Sequence, residues 1–231
     1  MIKRVKYAAC ALLVASVCVL SPLPAEAARN MPDQEKRAKF SQKSILDEAY
    51  SSDDCRRLIG AAERRHRIPA QLLSAIALAE SGRWMADRGA IIAWPWTVYA
   101  QGKGQFHASH ADATAAVSGL KAQGVGNIDV GCMQVNLHYH GKAFADPGEA
   151  LTPERNIDYA AGLLRRLYTK HRSWLVAVAH YHSATKALNV GYRKKVMTIW
   201  HKERRWAINE RRRLVQAAYD RRRADRSYRK R

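Results

Sequence analysis

Long apolar runs and acidic residues are both scarce in this chain of 231 residues, and it contains no internal repeat. Its longest apolar run, from Tyr7 to Leu20, is shorter than the roughly 20 residues that a transmembrane helix needs. Acidic residues number 20 against 40 Lys and Arg, so the formal net charge is +20 and anionic partners are expected. The length predicts one compact domain with appendages rather than two full-sized domains.

The N-terminus has the three parts of a secretory signal peptide. Basic residues at positions 3–6 precede the apolar run, and small residues at positions 25–27 follow it. We therefore predict that residues 1–27 are removed on export to the periplasm or cell envelope; an uncleaved membrane anchor is the alternative. Removal takes away three cations and one anion, which lowers the formal net charge from +20 to +18. Residues 28–52 are polar and weakly periodic, which predicts a leader or linker.

The sequence has only four cysteines, and Cys10 and Cys18 lie within the predicted signal peptide. Cys55 and Cys132 remain, in a compartment where disulfides persist. We predict that they form one disulfide. Two free buried thiols are the alternative, because sequence alone does not show how closely the two Cα atoms approach.

Helical patterns dominate the chain after residue 52. Helix starts are predicted at Asp53 or Asp54, Ile68-Pro69, Ser109, Thr152-Pro153 and Ser173. Two short extended runs around a Gly-rich turn at 102–104 predict a small β-hairpin. From Arg193 onward, 16 Lys or Arg occur against 4 Asp or Glu, which predicts a basic amphipathic helix or a partly disordered arm. The expected fold is mainly α, with a domain over 53–192 and a basic C-terminal extension over 193–231.

Glu80 lies near the end of the helix that the sequence predicts from Ile68-Pro69 to Gly82. Because it follows Ile76 by four residues, it falls on the apolar face of that helix. In the last turn the helix dipole also disfavours negative charge. Both conditions keep a carboxyl group protonated near neutral pH, as the acid of a glycosidase requires. A solvated surface carboxylate is the alternative.

Three short motifs occur in the order Ala79-Glu80-Ser81-Gly82, Gly131-Cys132-Met133-Gln134-Val135-Asn136 and Ala177-Val178-Ala179-His180-Tyr181. Their order, spacing and helical context resemble the SLT-type lytic transglycosylases, which have a goose-type-lysozyme-like fold. The resemblance spans about Cys55 to Tyr192. The wording of the second motif is closer to the small specialised transglycosylases that accompany secretion systems and similar envelope machines.

The resemblance implies that Glu80 acts first as acid and then as base. It would protonate the glycosidic oxygen between N-acetylmuramic acid and N-acetylglucosamine, then accept the C6 hydroxyl proton as a 1,6-anhydro ring closes. The resemblance also implies that a further set of residues lines the cleft for the glycan strand: Ser81, Met133, Gln134, Asn136 and Tyr181. For Met133 and Tyr181, ordinary core packing is the alternative.

No second carboxylate is expected to take part in catalysis, and Asp129 is expected to cap a loop. Two positions depart from the family pattern: His182 follows the tyrosine where many relatives have asparagine, and Leu137-His138 stand where many have proline. The histidines of 138–140 and 180–182 lack the spacing and the supporting carboxylates of a zinc site, so no metal and no cofactor are expected.

A peptidoglycan lytic transglycosylase is therefore the expected function, with glycan strands as substrate and a secretion-system or other envelope assembly as partner. Hydrolytic muramidase activity on the same fold, a non-catalytic wall-binding module and a basic polyanion-binding protein are the alternatives. The basic tail is expected to contact an anionic wall or membrane surface. Nucleic acid is not its expected partner, because the protein is predicted to be exported.

Overall fold

Helices form most of the fold in this computed structural model, which describes residues 53–228. The predicted signal peptide and leader lie outside the described residues. The helices are α1 (Asp54–Arg65), α2 (Leu72–Ser81), α3 (His110–Ala122), α4 (Leu137–His140), α5 (Pro147–Leu151), α6 (Pro153–His171), α7 (Trp174–His182) and α8 (Lys186–Tyr228), with a 3-10 turn at Gly141–Ala143. The expected mainly α fold, consistent with a lysozyme-like domain, is confirmed.

Two small antiparallel sheets lie between α2 and α4. The strands are β1 (Gly82–Met85), β2 (Ala90–Ala93), β3 (Thr97–Ala100), β4 (Lys103–Phe106), β5 (Ile128–Val130) and β6 (Val135–Asn136). Strands β1 and β2 form one hairpin, and the other four form a sheet in the order β4-β3-β5-β6. The predicted hairpin is β3–β4; both residues of its turn, Gln101 and Gly102, have the positive φ that a tight hairpin turn favours. The β1–β2 hairpin was not predicted.

Local capping signals place several helix starts correctly. The Ser109 hydroxyl accepts a hydrogen bond from the Asp112 amide, the Ser173 hydroxyl accepts one from the Val176 amide, and α6 begins at Pro153 as predicted. Asp53 is at the N-cap position of α1 but makes no side-chain capping hydrogen bond.

The start of α2 was predicted wrongly: it begins at Leu72, not at Ile68-Pro69. Gln71 has a left-handed φ of 64°, which interrupts the helix on its N-terminal side. The carboxylate of Glu63 in α1 caps α2 instead, since its oxygens accept hydrogen bonds from the amides of Gln71, Leu73 and Ser74 at 2.9 to 3.2 Å. The helix that carries Glu80 is thus fixed by its neighbour α1.

The predicted disulfide is present in the structure. Cys55 in α1 and Cys132 are bonded, are both fully buried and have Cα atoms 6.0 Å apart. The bond joins α1 to the loop between β5 and β6, within a core that α2, α6 and α7 complete with Leu72, Leu73, Ile76, Ile157, Ala160, Leu164 and Val178.

Helix α8 is one continuous helix of 43 residues, so the helical alternative for the basic tail is the one that the structure shows. Its first part lies along α2: the indole N–H of Trp200 donates to the Ala70 carbonyl, and the Lys195 ammonium donates to the Ala79 carbonyl. The order of these contacts shows that the two helices run in opposite directions. Between residues 53 and 228, no helix combines the length and apolarity needed to cross a bilayer.

Candidate active site

Glu80 is held at the end of α2 by two residues of α8. The Tyr192 hydroxyl donates a hydrogen bond of 2.6 Å to Oε1 of Glu80. One turn further along α8, Lys195 donates to the Ala79 carbonyl at 2.7 Å, which places a cation at the C-terminal end of α2. The carboxyl group therefore has a fixed orientation, while the residue keeps partial exposure to solvent.

The surroundings of Glu80 raise its pKa to about 7. Burial is the largest cause, because it disfavours the charged form, and the negative charge of Asp129 acts in the same direction. The Tyr192 hydrogen bond and the positive charge of Lys195 oppose both effects. Near neutral pH the carboxyl group is therefore divided between its protonated and ionised forms, as a group that acts as both acid and base requires.

The tyrosine on the Glu80 carboxyl is Tyr192 and not Tyr181. Tyr181 donates its hydrogen bond to the Met133 carbonyl at 2.9 Å. It lies near the acid all the same: burial raises the pKa of Tyr181 well above its ordinary value, and the charge of Glu80 adds to that rise. Tyr192 thus contacts Glu80 directly, whereas Tyr181 lies within its electrostatic reach and is hydrogen-bonded to the loop that carries Met133.

Sequence reasoning missed Tyr192, although a signal for it exists. Tyr192, Val196 and Ile199 recur at the spacing of one helical face, and the structure shows that Val196 is fully buried. A hydroxyl on such a stripe needs a buried hydrogen-bond partner. That partner, Glu80, is 112 residues away in sequence, so the pattern could identify the tyrosine but not its contact.

The loop that carries Met133 and Gln134 depends on Asn156, which sequence reasoning also missed. Asn156 is fully buried in α6; its side-chain oxygen accepts from the Met133 amide, and its nitrogen donates to the carbonyls of Val130 and Ala150, each at 2.9 Å. Gly131 has φ +82°, and a Cβ there would lie 2.5 Å from the Asn156 side chain. Only glycine is accommodated without displacing Asn156.

Ser81, which follows Glu80 in the chain, and Met133 are both buried. The Ser81 hydroxyl donates to the Cys132 carbonyl at 2.7 Å, and the residue is only 1% exposed. Met133 is fully buried, and its backbone carbonyl accepts from Tyr181. These contacts join the end of α2 to the loop between β5 and β6. The predicted contact of both side chains with glycan stays a prediction.

Gln134 and Asn136 lie nearer the surface, at the two ends of the short segment that leads into α4. Gln134 has a left-handed φ of 46°. Its side-chain nitrogen, Nε2, donates to the carbonyls of Thr97 and Gly131. The oxygen of the Asn136 side chain caps α4, and its nitrogen donates to Asp129 Oδ1 at 2.8 Å. Both side chains are held by the protein and remain partly exposed.

The expectation that Asp129 caps a loop is wrong. It lies in β5, opposite Tyr99 on one side and Asn136 on the other. Burial raises the pKa of Asp129, whereas the Asn136 hydrogen bond and His182 lower it. Its charge in turn raises the pKa of Glu80, so the site contains a second carboxyl group within electrostatic reach of the first.

The four histidines of the two His-Tyr-His segments make contacts with neighbouring rings. His138 contacts Tyr139, His140 contacts Tyr159, His180 stacks on His171, and His182 stacks on Tyr192 at 4.5 Å. Burial lowers the pKa of His182, which favours the neutral imidazole beside Tyr192. Over residues 53–228, no three His, Cys, Asp or Glu side chains converge as metal ligands would.

A mainly α body in which burial gives a carboxyl group a near-neutral pKa is typical of glycan-cleaving enzymes. The family model described as the transglycosylase SLT domain matches residues 57–197, which is more than half of the chain. The chain therefore belongs to the SLT transglycosylase domain family and is a peptidoglycan lytic transglycosylase. No curated protein sequence matches the chain, and no solved structure does.

Proposed function

We propose that the protein cleaves the β-1,4 bond between N-acetylmuramic acid and N-acetylglucosamine, and that Glu80 performs both proton transfers. The observation that carries this proposal is the near-neutral pKa of Glu80, about 7, in a carboxyl group that Tyr192 holds in place. A general acid or base is most effective when its pKa lies near the working pH. A group that must serve in both roles therefore benefits most from this value.

In the first step, protonated Glu80 gives its proton to the glycosidic oxygen while the bond from that oxygen to C1 of the muramoyl residue breaks. The leaving N-acetylglucosamine takes the proton as a hydroxyl group. In the second step, the Glu80 carboxylate accepts the proton of the muramoyl C6 hydroxyl. At the same time the C6 oxygen forms a bond to C1. A 1,6-anhydro ring forms, no water is consumed, and Glu80 returns to its protonated state.

Tyr192 determines which oxygen of Glu80 takes part. Its hydroxyl donates to Oε1, so the transferable proton of the acid lies on Oε2. After the first transfer the same hydrogen bond stabilises the carboxylate. Gln134 and Asn136 are partly exposed, and we assign their side chains to the glycan strand; Ser81, Met133 and Tyr181 are assigned to the wall of the cleft.

The predicted signal peptide supports an envelope location, where the substrate lies, so the periplasm or cell envelope is part of the proposal. A secretion-system or similar envelope assembly is proposed as partner, on the resemblance of the Gly131–Asn136 motif alone. Local opening of the wall by a small enzyme is the activity that such an assembly requires.

Hydrolysis by the same site is the second candidate, and Asp129 is the observation that favours it. Many glycosidases use two carboxyl groups, one as acid and the other to activate water. Asp129 is near enough to raise the pKa of Glu80. Its Oδ1 is engaged by the Asn136 amide, which favours a supporting role over activation of water.

Mass spectrometry of muropeptides released from purified peptidoglycan tests both candidates. Wild-type protein is compared with Glu80→Gln and with Glu154→Gln, a matched change at an exposed residue of α6. We expect wild type and Glu154→Gln to release anhydro products, which are lighter by one water than the reducing-end products of hydrolysis. We expect Glu80→Gln to release none. Reducing-end products would establish hydrolysis instead, and equal activity of Glu80→Gln would remove Glu80 from the mechanism.

A further inference from the structure

The distal part of α8, residues 207–226, presents large apolar side chains to solvent. Ile208, Leu214, Val215 and Tyr219 are between 47% and 63% exposed. This segment is about 30 Å long, at 1.5 Å of rise per residue. Exposed apolar side chains on an arginine-rich helix are a feature that the catalytic site does not explain.

The charges of the distal part are separated between two faces. Three of the apolar residues, Ile208, Val215 and Tyr219, follow one another at intervals of seven and four residues and so form one stripe along the helix. Five arginines lie within about 60° of that stripe, given about 100° of rotation per residue. They are Arg211, Arg212, Arg222, Arg223 and Arg226. We use the name basic stripe for the surface formed by these three apolar residues and these five arginines together.

The opposite face of the same segment is nearly neutral. It carries all three acidic residues of the segment, Glu210, Asp220 and Asp225, together with the two other arginines. Arg213 forms a bidentate ion pair with Glu210, with contacts of 2.6 and 2.8 Å. No comparable ion pair involves the basic stripe within the described part of the chain. The segregation leaves five positive charges on one side of the helix.

We propose that the basic stripe docks α8 on an anionic membrane surface, with the helix lying in the plane of the interface. Guanidinium groups bind phosphate oxygens in a bidentate manner, and anionic lipid headgroups present those oxygens at high density. The apolar side chains between the arginines enter the boundary of the acyl chains, as in other interfacial helices. Both chemistries are on the same face, as this mode of binding requires.

The apolar stripe favours a lipid surface over an anionic polymer. A wall polymer or a nucleic acid attracts cations without regard to apolar neighbours, and a charge on either face of the helix would serve. In the distal part of α8 the arginines instead concentrate around Ile208, Val215 and Tyr219. Anionic polymer binding is therefore the outcome that the test must separate from lipid binding.

Docking through α8 would also hold the catalytic site beside the membrane. Tyr192, which holds Glu80, and Val215, at the centre of the basic stripe, lie on one continuous helix. They are separated by about 35 Å along its axis, at 1.5 Å per residue, and because the docked helix lies in the plane of the interface this distance runs along the membrane and not away from it. The catalytic carboxyl group would thus act on glycan strands close to the membrane. This consequence rests on the proposed function, whereas the docking itself does not.

Vesicle sedimentation with the exported, processed protein tests the proposal. Vesicles contain phosphatidylglycerol and phosphatidylcholine in equal parts, or phosphatidylcholine alone. Arg211→Gln with Arg222→Gln removes two charges from the basic stripe, and Arg213→Gln with Arg221→Gln removes two from the opposite face. We expect the first pair to weaken binding to anionic vesicles about twenty-five-fold and the second to change it little, because each basic residue near the surface contributes about a fivefold effect.

A third variant separates lipid from polymer. Val215→Ser with Tyr219→Ser keeps every charge and should lose most of the binding to anionic vesicles while still binding soluble polyphosphate. Equal losses from the two arginine pairs, or unchanged vesicle binding of the serine variant, would overturn the proposal. All variants should release muropeptides as wild type does, because none lies near Glu80; that readout keeps the membrane proposal separate from the proposed reaction.

Discussion

The hydroxyl of Tyr192 donates a hydrogen bond of 2.6 Å to Oε1 of Glu80 across the contact between α8 and α2. Burial raises the pKa of Tyr192 well above its ordinary value, and the charge of Glu80 adds to that rise. The tyrosine therefore keeps its proton throughout the pH range in which Glu80 titrates. It is a permanent donor to a group that changes its charge during the proposed reaction.

Tyr192→Phe should raise the pKa of Glu80 above about 7, because the hydrogen bond that lowers this pKa is lost. The carboxylate formed in the first step would also lose a donor. We expect kcat to fall by about tenfold to a hundredfold. The pH above which kcat/KM declines should move to a higher value. Tyr139→Phe, at a tyrosine that is 75% exposed, is the matched control. A loss of rate with an unchanged pH profile would contradict a positioning role for Tyr192.

Wild-type activity should itself report the pKa of Glu80. Because the acid must be protonated to begin the reaction, kcat/KM should fall as pH rises through about 7 and then decrease about tenfold per pH unit. The release of soluble glycan from peptidoglycan, followed from pH 5 to pH 9, measures this limit. A rate that stays constant up to pH 9 would mean that another group supplies the proton.

Glu80→Gln should stabilise the fold at high pH. In the folded protein the pKa of Glu80 is about 7, above the value of about 4.5 expected for the unfolded chain. The unfolded state therefore loses this proton first, and the free energy of unfolding decreases as pH rises from about 4.5 to about 7.

Glutamine cannot ionise, so the variant escapes this loss. We expect it to be more stable than wild type by on the order of 3 kcal/mol at pH 8, with little difference at pH 4. Denaturant unfolding at both pH values measures the difference. An equal effect at the two values would show that it does not come from ionisation of Glu80.

Local sequence signals predicted those parts of the fold that local interactions determine. Serine caps at Ser109 and Ser173 and the proline at Pro153 placed three helix starts, because the groups that satisfy the first amides lie within the same turn. The start of α2 was wrong for the opposite reason. Its amides are satisfied by Glu63, a residue of the preceding helix.

In the candidate site, too, local sequence signals predicted some features, and contacts between distant residues determine the others. The motif around Glu80 identified the acid as a candidate, and the periodicity of α2 placed it on an apolar face. The contacts that orient its surroundings connect distant segments: Tyr192 reaches Glu80, and Asn156 reaches the Met133 amide. Asp129 was predicted to cap a loop, whereas long-range pairing of its segment with β3 and β6 makes it part of a strand.

Glu63 should be essential for the stability of α2. Its carboxylate accepts three hydrogen bonds from backbone amides, and the residue is only 5% exposed. Glu63→Ala leaves these donors without their acceptor, at a cost of about 2 to 4 kcal/mol in the free energy of unfolding. Glu154→Ala, an exposed change in the first turn of α6, should cost less than about 1 kcal/mol. Equal costs in thermal or denaturant unfolding would show that the cap contributes little.

Loss of the Cys55–Cys132 disulfide should weaken both the fold and the site. The bond closes a loop across a sequence separation of 77 residues, for which the chain-entropy model gives about 4 to 5 kcal/mol as an upper value. Cys132 is also the residue whose carbonyl accepts the Ser81 hydroxyl, next to Glu80. We therefore expect the double variant Cys55→Ser, Cys132→Ser to unfold at lower denaturant concentration and to have reduced kcat even where it is folded.

Reductant should lower the stability of wild type toward that of the variant and leave the variant unchanged. A wild-type protein whose unfolding midpoint is insensitive to reductant, with its thiols shown to be free, would contradict a stabilising role for the bond.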